Sequence, residues 1–119
     1  MIKPFLHYNS IADARGMIVP TETYEHGGQL FEWNIAKNLS NIEKHGISFK
    51  EAATVFGDDN STMLEDEKRF DGEERFLVIG FSKNMRLLTV CHCLRESDSI
   101  IRIISARRAT KPEMRKYGG

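Results

Sequence analysis

Three apolar segments in the C-terminal half constrain the fold of this 119-residue chain more than any other feature. They span residues 74–81, 86–94 and 100–105 and are rich in the β-branched and apolar residues that suit a pleated surface. Short polar turns at 82–84 and 95–98 connect them. Connections this short pair consecutive strands as antiparallel hairpins. The chain is therefore predicted to contain an antiparallel meander.

A helix is predicted earlier in the chain, over residues 34–45. Ile35, Leu39 and Ile42 recur at helical spacing. Asn34 stands where an N-cap is needed, and Gly46 stands where a left-handed C-cap is needed.

Two capping-box patterns predict further helices. Ser48 with Glu51 begins a short helix that runs to about Phe56. Thr110 with Glu113 begins a last helix, and the proline between them favours its first turn.

Short strands are also predicted at 30–33 and 61–64, and a charged loop at 65–72 follows the second of them. The complete element order is therefore β-α-α-β-β-β-β-α. This order predicts an α+β fold, in which an antiparallel meander packs with two N-terminal helices and one C-terminal helix.

Residues 1–29 show neither helical nor strand periodicity, and prolines and glycines interrupt them. We interpret them as an N-terminal extension of unknown role that precedes a domain at 30–119. A natural extension, a mis-set translation start, a segment added for expression and an arm that packs on a partner remain open.

Charge is divided unevenly, although the formal net charge is zero. Residues 51–74 carry nine acidic and two basic side chains, an excess of seven negative charges. Residues 75–119 carry ten basic and three acidic side chains, an excess of seven positive charges. Such asymmetry favours a face that binds polyanions. The alternative is a solvated surface over which the acidic loop folds back.

The chain has no run of about 18 apolar residues and no signal-peptide pattern at its start, so we expect a soluble cytoplasmic protein with no membrane contact. Its two cysteines, Cys91 and Cys93, flank His92 and lie too close in sequence for an easy disulfide. No second cluster completes a tetrahedral metal site. We expect buried structural cysteines, and neither a metal nor another cofactor.

Metal-free cleavage of RNA needs proton transfer and stabilisation of negative charge at phosphorus. Lys44 and His45 end the first helix, where the helix dipole favours a protonated imidazole, although such a histidine also serves as a simple cap. Arg75 opens the first of the three strands, and Arg107 and Arg108 follow the last. Arginine suits bidentate phosphate contact, and salt bridges to the acidic residues are the alternative.

Two aromatic-ring residues have both a functional and a structural interpretation. Trp33 precedes the first helix, and its ring is suited either to stacking on a base or to packing in the core. His92 lies mid-strand among apolar neighbours, which favours a packed histidine over a catalytic base.

Several segments taken together resemble the BrnT family of type II toxins over about residues 30–118. They are Phe-Glu-Trp-Asn at 31–34, Lys-His-Gly-Ile-Ser-Phe at 44–49, Gly-Glu-Glu-Arg-Phe at 72–76 and Ile-Arg-Ile-Ile-Ser-Ala-Arg-Arg-Ala-Thr at 101–110. The order of these segments is more specific than any one of them.

The resemblance implies a RelE-like fold and a metal-independent endoribonuclease that cleaves RNA and arrests translation and growth. It implies a BrnA-like antitoxin partner with a DNA-binding domain, through which the complex would bind operator DNA. The implied catalytic residues are Lys44, His45, Arg75, Arg107 and Arg108. The implied RNA-binding residues are Trp33, Glu74 and Arg102, with Glu74 also able to orient Arg75.

The sequence departs from the family pattern in residues 1–29, which have no counterpart, and in Cys91-His92-Cys93. An alternative from another class is a non-catalytic module that binds nucleic acid or antitoxin and only regulates. Turnover of RNA distinguishes the two.

Overall fold

The computed structural model describes residues 6–12, 18–70 and 73–119. The strands are β1 (Leu6–Ala12), β2 (Ile18–His26), β3 (Gln29–Asn34), β4 (Thr62–Phe70), β5 (Glu73–Phe81), β6 (Leu87–Arg95) and β7 (Ile100–Arg108). The helices are α1 (Ile35–His45), α2 (Phe49–Thr54), which continues into a 3-10 turn (Val55–Gly57), and α3 (Lys111–Lys116).

The strands form one seven-stranded sheet in the order β1-β2-β3-β7-β6-β5-β4. Strands β4 to β7 form the predicted meander, in which each neighbouring pair is antiparallel. The prediction of a purely antiparallel sheet is nevertheless wrong, because β3 pairs with β7 in parallel. Hairpin turns constrain only strands that are consecutive in the chain. The meander begins at the far edge of the sheet, so that its last strand arrives beside β3 running in the same direction.

Two strands lie in the N-terminal segment, for which no strand pattern was visible in the sequence. β1 pairs with β2, and β2 pairs with β3 through a turn at Gly27 and Gly28, both with positive φ. β2 contributes to the core as well as to the sheet. The indole Nε1 of the fully buried Trp33 donates to Glu22 Oε1 at 2.7 Å, and the Tyr24 ring lies 5.9 Å from the Trp33 ring. The periodicity was hidden because buried positions of β2 carry the polar residues Thr21 and Glu22.

β4 is longer than the predicted strand at 61–64, and much of the expected charged loop belongs to it. It lies at an edge of the sheet, where charged side chains are compatible with strand structure because one side faces solvent. Its pairing with β5 becomes irregular between Asp66 and Phe70.

Helices α1 and α2 cover one face of the sheet and enclose the core. The buried apolar side chains of this core are Phe31, Trp33, Ile47, Phe49, Ala52, Ala53, Val55, Val78, Leu88, Val90, Ile103 and Ala106. The predicted caps of α1 are confirmed, since Asn34 accepts from the Lys37 amide and Gly46 adopts the left-handed conformation. The capping box of α3 is also confirmed.

The N-terminus of α2 is capped as predicted by Ser48, which accepts from the Glu51 amide. The Glu51 carboxylate, however, does not complete a capping box. It is 4% exposed and binds the Arg86 guanidinium and the Ser82 hydroxyl instead. Arg86 also donates to the Gly46 carbonyl, so this buried pair ties the end of α1 to the start of β6.

Within the described residues, none of the helices has the length and apolar character needed to cross a bilayer.

Candidate functional site

The face of the sheet opposite α1 and α2 carries a groove of about 350 Å³. Its lining residues come from the four strands of the meander. They are Asp66, Arg75, Leu77, Thr89, Cys91, Ile104, Ser105 and Arg107. The groove therefore combines two arginines and one carboxylate with hydroxyl and apolar groups.

Strand register arranges these residues in rows across the sheet. Leu77, Cys91 and Ser105 are cross-strand partners and form the floor of the groove. One row toward the C-terminal end of β7, Thr89 is paired with Arg107. In the opposite direction, Asp66 is paired with Arg75. The two arginines thus lie at opposite ends of the same floor.

The two arginines are separated both along and across the sheet. Their backbones are roughly 13 Å apart along the strands, at about 3.3 Å per residue. They lie on β5 and β7, with β6 between them, which adds two strand spacings of about 4.8 Å each. Both arginines line the groove, so positive charge stands at each of its ends.

Arg107 is held in place by Glu113 on α3. Its Nη1 and Nη2 donate to Glu113 Oε1 and Oε2 at 2.7 and 3.0 Å. The same carboxylate accepts from the Thr89 hydroxyl at 2.9 Å and from the Thr110 amide at 2.8 Å. The bonds from Arg107, outweighing the effect of burial, lower the pKa of Glu113 to about 2. The residue that caps α3 thus also fixes the direction of a groove arginine.

Contacts at the C-terminal end of α3 anchor this helix to the sheet. The Tyr117 hydroxyl donates to Asp58 Oδ2 at 2.7 Å, and the Tyr117 ring packs edge-on against Phe81 at 5.2 Å. The Lys116 carbonyl accepts from the Thr62 hydroxyl at 3.1 Å. These contacts keep α3 on the sheet, with Glu113 beside Arg107 at one end of the groove.

Cys91 lies in the centre of the groove floor. Its Sγ is 3.8 Å from Asp66 Oδ2. Burial, reinforced by the Asp66 charge and opposed by Arg75, raises the pKa of the Cys91 thiol to about 11. The group is therefore a neutral thiol near pH 7, and nucleophilic chemistry by a thiolate is disfavoured.

A β-bulge shapes the wall formed by β7. Cys91 is paired with Ser105 while the next residue of β6, His92, is paired with Ile103, which leaves Ile104 as the extra residue. Bulges re-aim side chains next to functional sites. Here the bulge places Ile104 and Ser105 together along the groove.

Three residues predicted to be catalytic lie outside the groove lining. Lys44 and His45 are exposed at the C-terminal end of α1, on the helix-covered side of the sheet. Arg108 is exposed and points to that side as well, because successive residues of a strand alternate in direction. The Gly46–Arg86 contact and the bond from the Ala109 amide to the Leu87 carbonyl bring all three to the same end of the sheet.

The predicted RNA-binding residues are also distributed over the molecule. Trp33 has no exposed surface, so the structure places it in the core and offers none of its ring to a base. Arg102 forms an ion pair with Glu32 at 2.6 Å, with both side chains nearly buried. Glu74 is exposed and, as the neighbour of Arg75 in β5, points to the opposite face of the sheet.

His92 is packed in the core, as predicted. It is 1% exposed, and its ring lies 4.9 Å from Phe56 and 5.9 Å from Phe76. Burial lowers the pKa of His92 to about 4, so the imidazole is neutral near pH 7. Among the described residues, no three His, Cys, Asp or Glu side chains are grouped so that they could hold a metal ion.

Five members of this site that carry a polar or thiol group were not predicted from the sequence: Asp66, Thr89, Cys91 and Ser105 in the groove, and Glu113 beside it. Strand alternation contained part of the signal, since Thr89 and Cys91 share one face of β6, and Ser105 and Arg107 share one face of β7. Glu113 was identified as a cap, but its contact with Arg107 depends on how α3 folds back on the sheet.

The fold and the site define a small α+β protein with an arginine-lined groove on the open face of its sheet. Residues 33–113 match the model of the family described as the ribonuclease toxin, BrnT, of type II toxin–antitoxin systems. The chain belongs to this BrnT family of ribonuclease toxins, as its sequence motifs indicated.

Among solved structures, the chain is similar to the ribonuclease toxin BrnT of Brucella abortus, with 21% identity and a TM-score of 0.49. The match covers 66% of this chain and 94% of that protein. No curated protein matches the sequence.

Proposed function

We propose that this protein is a metal-independent endoribonuclease that cuts RNA in the groove between Arg75 and Arg107. The observation that carries the proposal is the placement of these two arginines at opposite ends of one groove in a chain that belongs to a ribonuclease toxin family. Sequence motifs singled out both residues, and strand register directs both into the same groove.

The two guanidinium groups supply the charge that this chemistry requires. When a 2′-oxygen attacks phosphorus, negative charge increases on the phosphoryl oxygens, and fixed cations beside them lower the barrier. Arg107 is pre-positioned by its two bonds to Glu113, so little reorganisation is needed on RNA binding. Arg75 faces the groove from the other end and completes the phosphate contact.

Lys44, His45 and Arg108 act in this proposal as contacts for the RNA chain where it leaves the groove. Arg107 and Arg108 are adjacent in β7 and point to opposite faces. A strand of RNA that passes the end of β7 therefore meets Arg107 on one side and Arg108, with the end of α1, on the other. These residues contribute to affinity for RNA through their charge.

The cellular role that we propose is inhibition of translation and growth in the cytoplasm by cleavage of RNA. A BrnA-like antitoxin would neutralise the toxin by covering the groove with an acidic segment, and its DNA-binding domain would bring the complex to operator DNA. The excess of seven positive charges in residues 75–119 supports an acidic antitoxin segment.

The activity is tested by incubating antitoxin-free protein with total RNA in the presence of EDTA, alongside Arg75→Ala. Cleavage that persists in EDTA and disappears in the variant supports the proposal. RNA that stays intact with wild-type protein, but is bound by it, would favour the non-catalytic binding module.

The antitoxin is tested by co-expression with the product of the neighbouring gene and size-exclusion chromatography. We expect a complex that elutes ahead of the toxin alone and fails to cleave RNA. Separate elution of the two proteins would contradict this part of the proposal.

A further inference from the structure

The residues that the sequence indicated for proton transfer, Lys44 and His45, lie outside the groove lining. His45, the candidate from the sequence, is exposed at the end of α1 and is not among the groove-lining residues. His92 is buried on the other face of the sheet, between two phenylalanine rings. The groove must therefore supply the proton acceptor from its own lining.

We infer that Asp66 is the general base of the cleavage reaction. Of the described residues that line the groove, Asp66 alone carries a carboxylate. The Glu113 carboxylate lies beside the groove and is not part of its lining. The hydroxyls of Thr89 and Ser105 and the guanidinium groups are poor proton acceptors near pH 7. This inference rests on the proposed function.

The position of Asp66 fits the step. It is the cross-strand partner of Arg75, and its Oδ2 lies 3.8 Å from Cys91 Sγ on the groove floor. A phosphate held by Arg75 thus places the neighbouring 2′-hydroxyl within reach of the Asp66 carboxylate.

The 2′-oxygen forms a bond to phosphorus and gives its proton to the Asp66 carboxylate, while the bond from phosphorus to the 5′-oxygen breaks. The departing 5′-oxygen takes a proton from water, and the protonated Asp66 later releases its proton to solvent. The products are a 2′,3′-cyclic phosphate and a 5′-hydroxyl end.

Charged and titratable side chains surround Asp66 on the neighbouring strands. Arg75 on β5 and Cys91 on β6 face it across the strands, with Cys93 next along β6 and Arg107 beyond Cys91. The pKa of Cys91 is raised to about 11, that of Cys93 is also raised, and that of Glu113 is lowered to about 2. A loss of rate on acidification that the wild type shows and Asp66→Asn lacks would therefore report on Asp66.

The experiment compares single-turnover cleavage of RNA between pH 4 and pH 8 by the wild type, Asp66→Asn and Asp66→Glu. Glu65→Gln is the matched control, because Glu65 is the exposed neighbour that points to the other face of β4. Trp33 fluorescence verifies that each protein is folded at each pH. Binding of a DNA oligonucleotide of the same sequence, which lacks the 2′-hydroxyl, measures affinity apart from chemistry.

We expect Asp66→Asn to slow cleavage by about 100-fold or more, which is a typical effect of losing a general base. The remaining rate should no longer fall as the pH is lowered. Asp66→Glu should keep the loss of rate at acid pH and part of the wild-type rate. In both variants the affinity for the DNA oligonucleotide should change by less than about threefold, which corresponds to about 0.7 kcal/mol.

Two results would overturn the inference while leaving the ribonuclease activity established. One is cleavage by Asp66→Asn at near wild-type rates. The other is a slower rate with an unchanged pH profile and weakened binding, which would make Asp66 a positioning residue for Arg75. A wild-type protein that leaves RNA intact would instead refute the proposed function, and the inference with it.

Discussion

Acidification should destabilise this protein through His92, a buried histidine that is not part of the groove. The ring is 1% exposed and lies between Phe56 and Phe76, and burial lowers its pKa to about 4. In the unfolded chain a histidine titrates near 6.5. Because the folded pKa is depressed, the unfolded state binds the proton first, and the free energy of unfolding falls as the pH drops below about 6.5.

The size of this effect follows from the two pKa values. Linkage gives a loss of about 2 kcal/mol at pH 5 and about 3 kcal/mol at pH 4, relative to pH 7.5. Urea denaturation followed by Trp33 fluorescence measures it, with His92→Leu as the reference in which all other titrating groups remain. On acidification, the free energy of unfolding of the wild type should fall further than that of the variant, by these amounts. If the difference in free energy of unfolding between the two proteins does not vary with pH, His92 is not the source of the acid sensitivity.

Three further changes have expected outcomes that urea denaturation or RNA cleavage can measure. Asn41→Leu should lower the free energy of unfolding by about 3 kcal/mol, because the buried Asn41 amide bonds the Ala106 amide and carbonyl and the Ile47 carbonyl; a loss below about 1 kcal/mol would contradict this. Gly80→Ala should cost about 1–3 kcal/mol, since a Cβ there would meet Val55 Cγ1 at 2.9 Å, and a stability equal to wild type would contradict it. Glu113→Gln should slow RNA cleavage by about 10-fold, because Arg107 is then held less firmly; an unchanged cleavage rate would show that the pair does not position Arg107. The same substitution should lower the free energy of unfolding above about pH 4.5. The wild type loses this contribution as the pH falls toward 2, the pKa of Glu113.

Local signals in the sequence predicted the meander and the caps of the helices because these depend on residues close together in the chain. Asn34 and Gly46 bound α1, and Thr110 with Glu113 begins α3, as expected. Which face of a helix is buried depends instead on distant residues. The apolar Leu39 on α1 is 61% exposed, whereas Asn41 is buried by its bonds to β7 and to Ile47.

The parallel pairing of β3 with β7 was not predictable from local pattern, because it joins strands that are about 70 residues apart. The same limit applies to the groove. Arg75 and Arg107 were identified from family motifs, but the carboxylates beside them were not, because Asp66 lies in what read as a charged loop. Sequence motifs also grouped Lys44 and His45 with the groove arginines, and the sheet places them on the helix-covered side.

The most direct test of the account is the single-turnover rate of RNA cleavage, in EDTA, by Arg75→Lys and Arg107→Lys. Lysine keeps the charge but loses the two-pronged phosphate contact. Arg115→Lys is the control, because Arg115 is exposed on α3 and lies outside the groove lining. We expect rates about 100-fold lower for both groove variants, which is the typical effect of losing one oxyanion-stabilising donor, and a wild-type rate for the control. Wild-type rates in both groove variants would contradict the claim that RNA is cut between these two arginines.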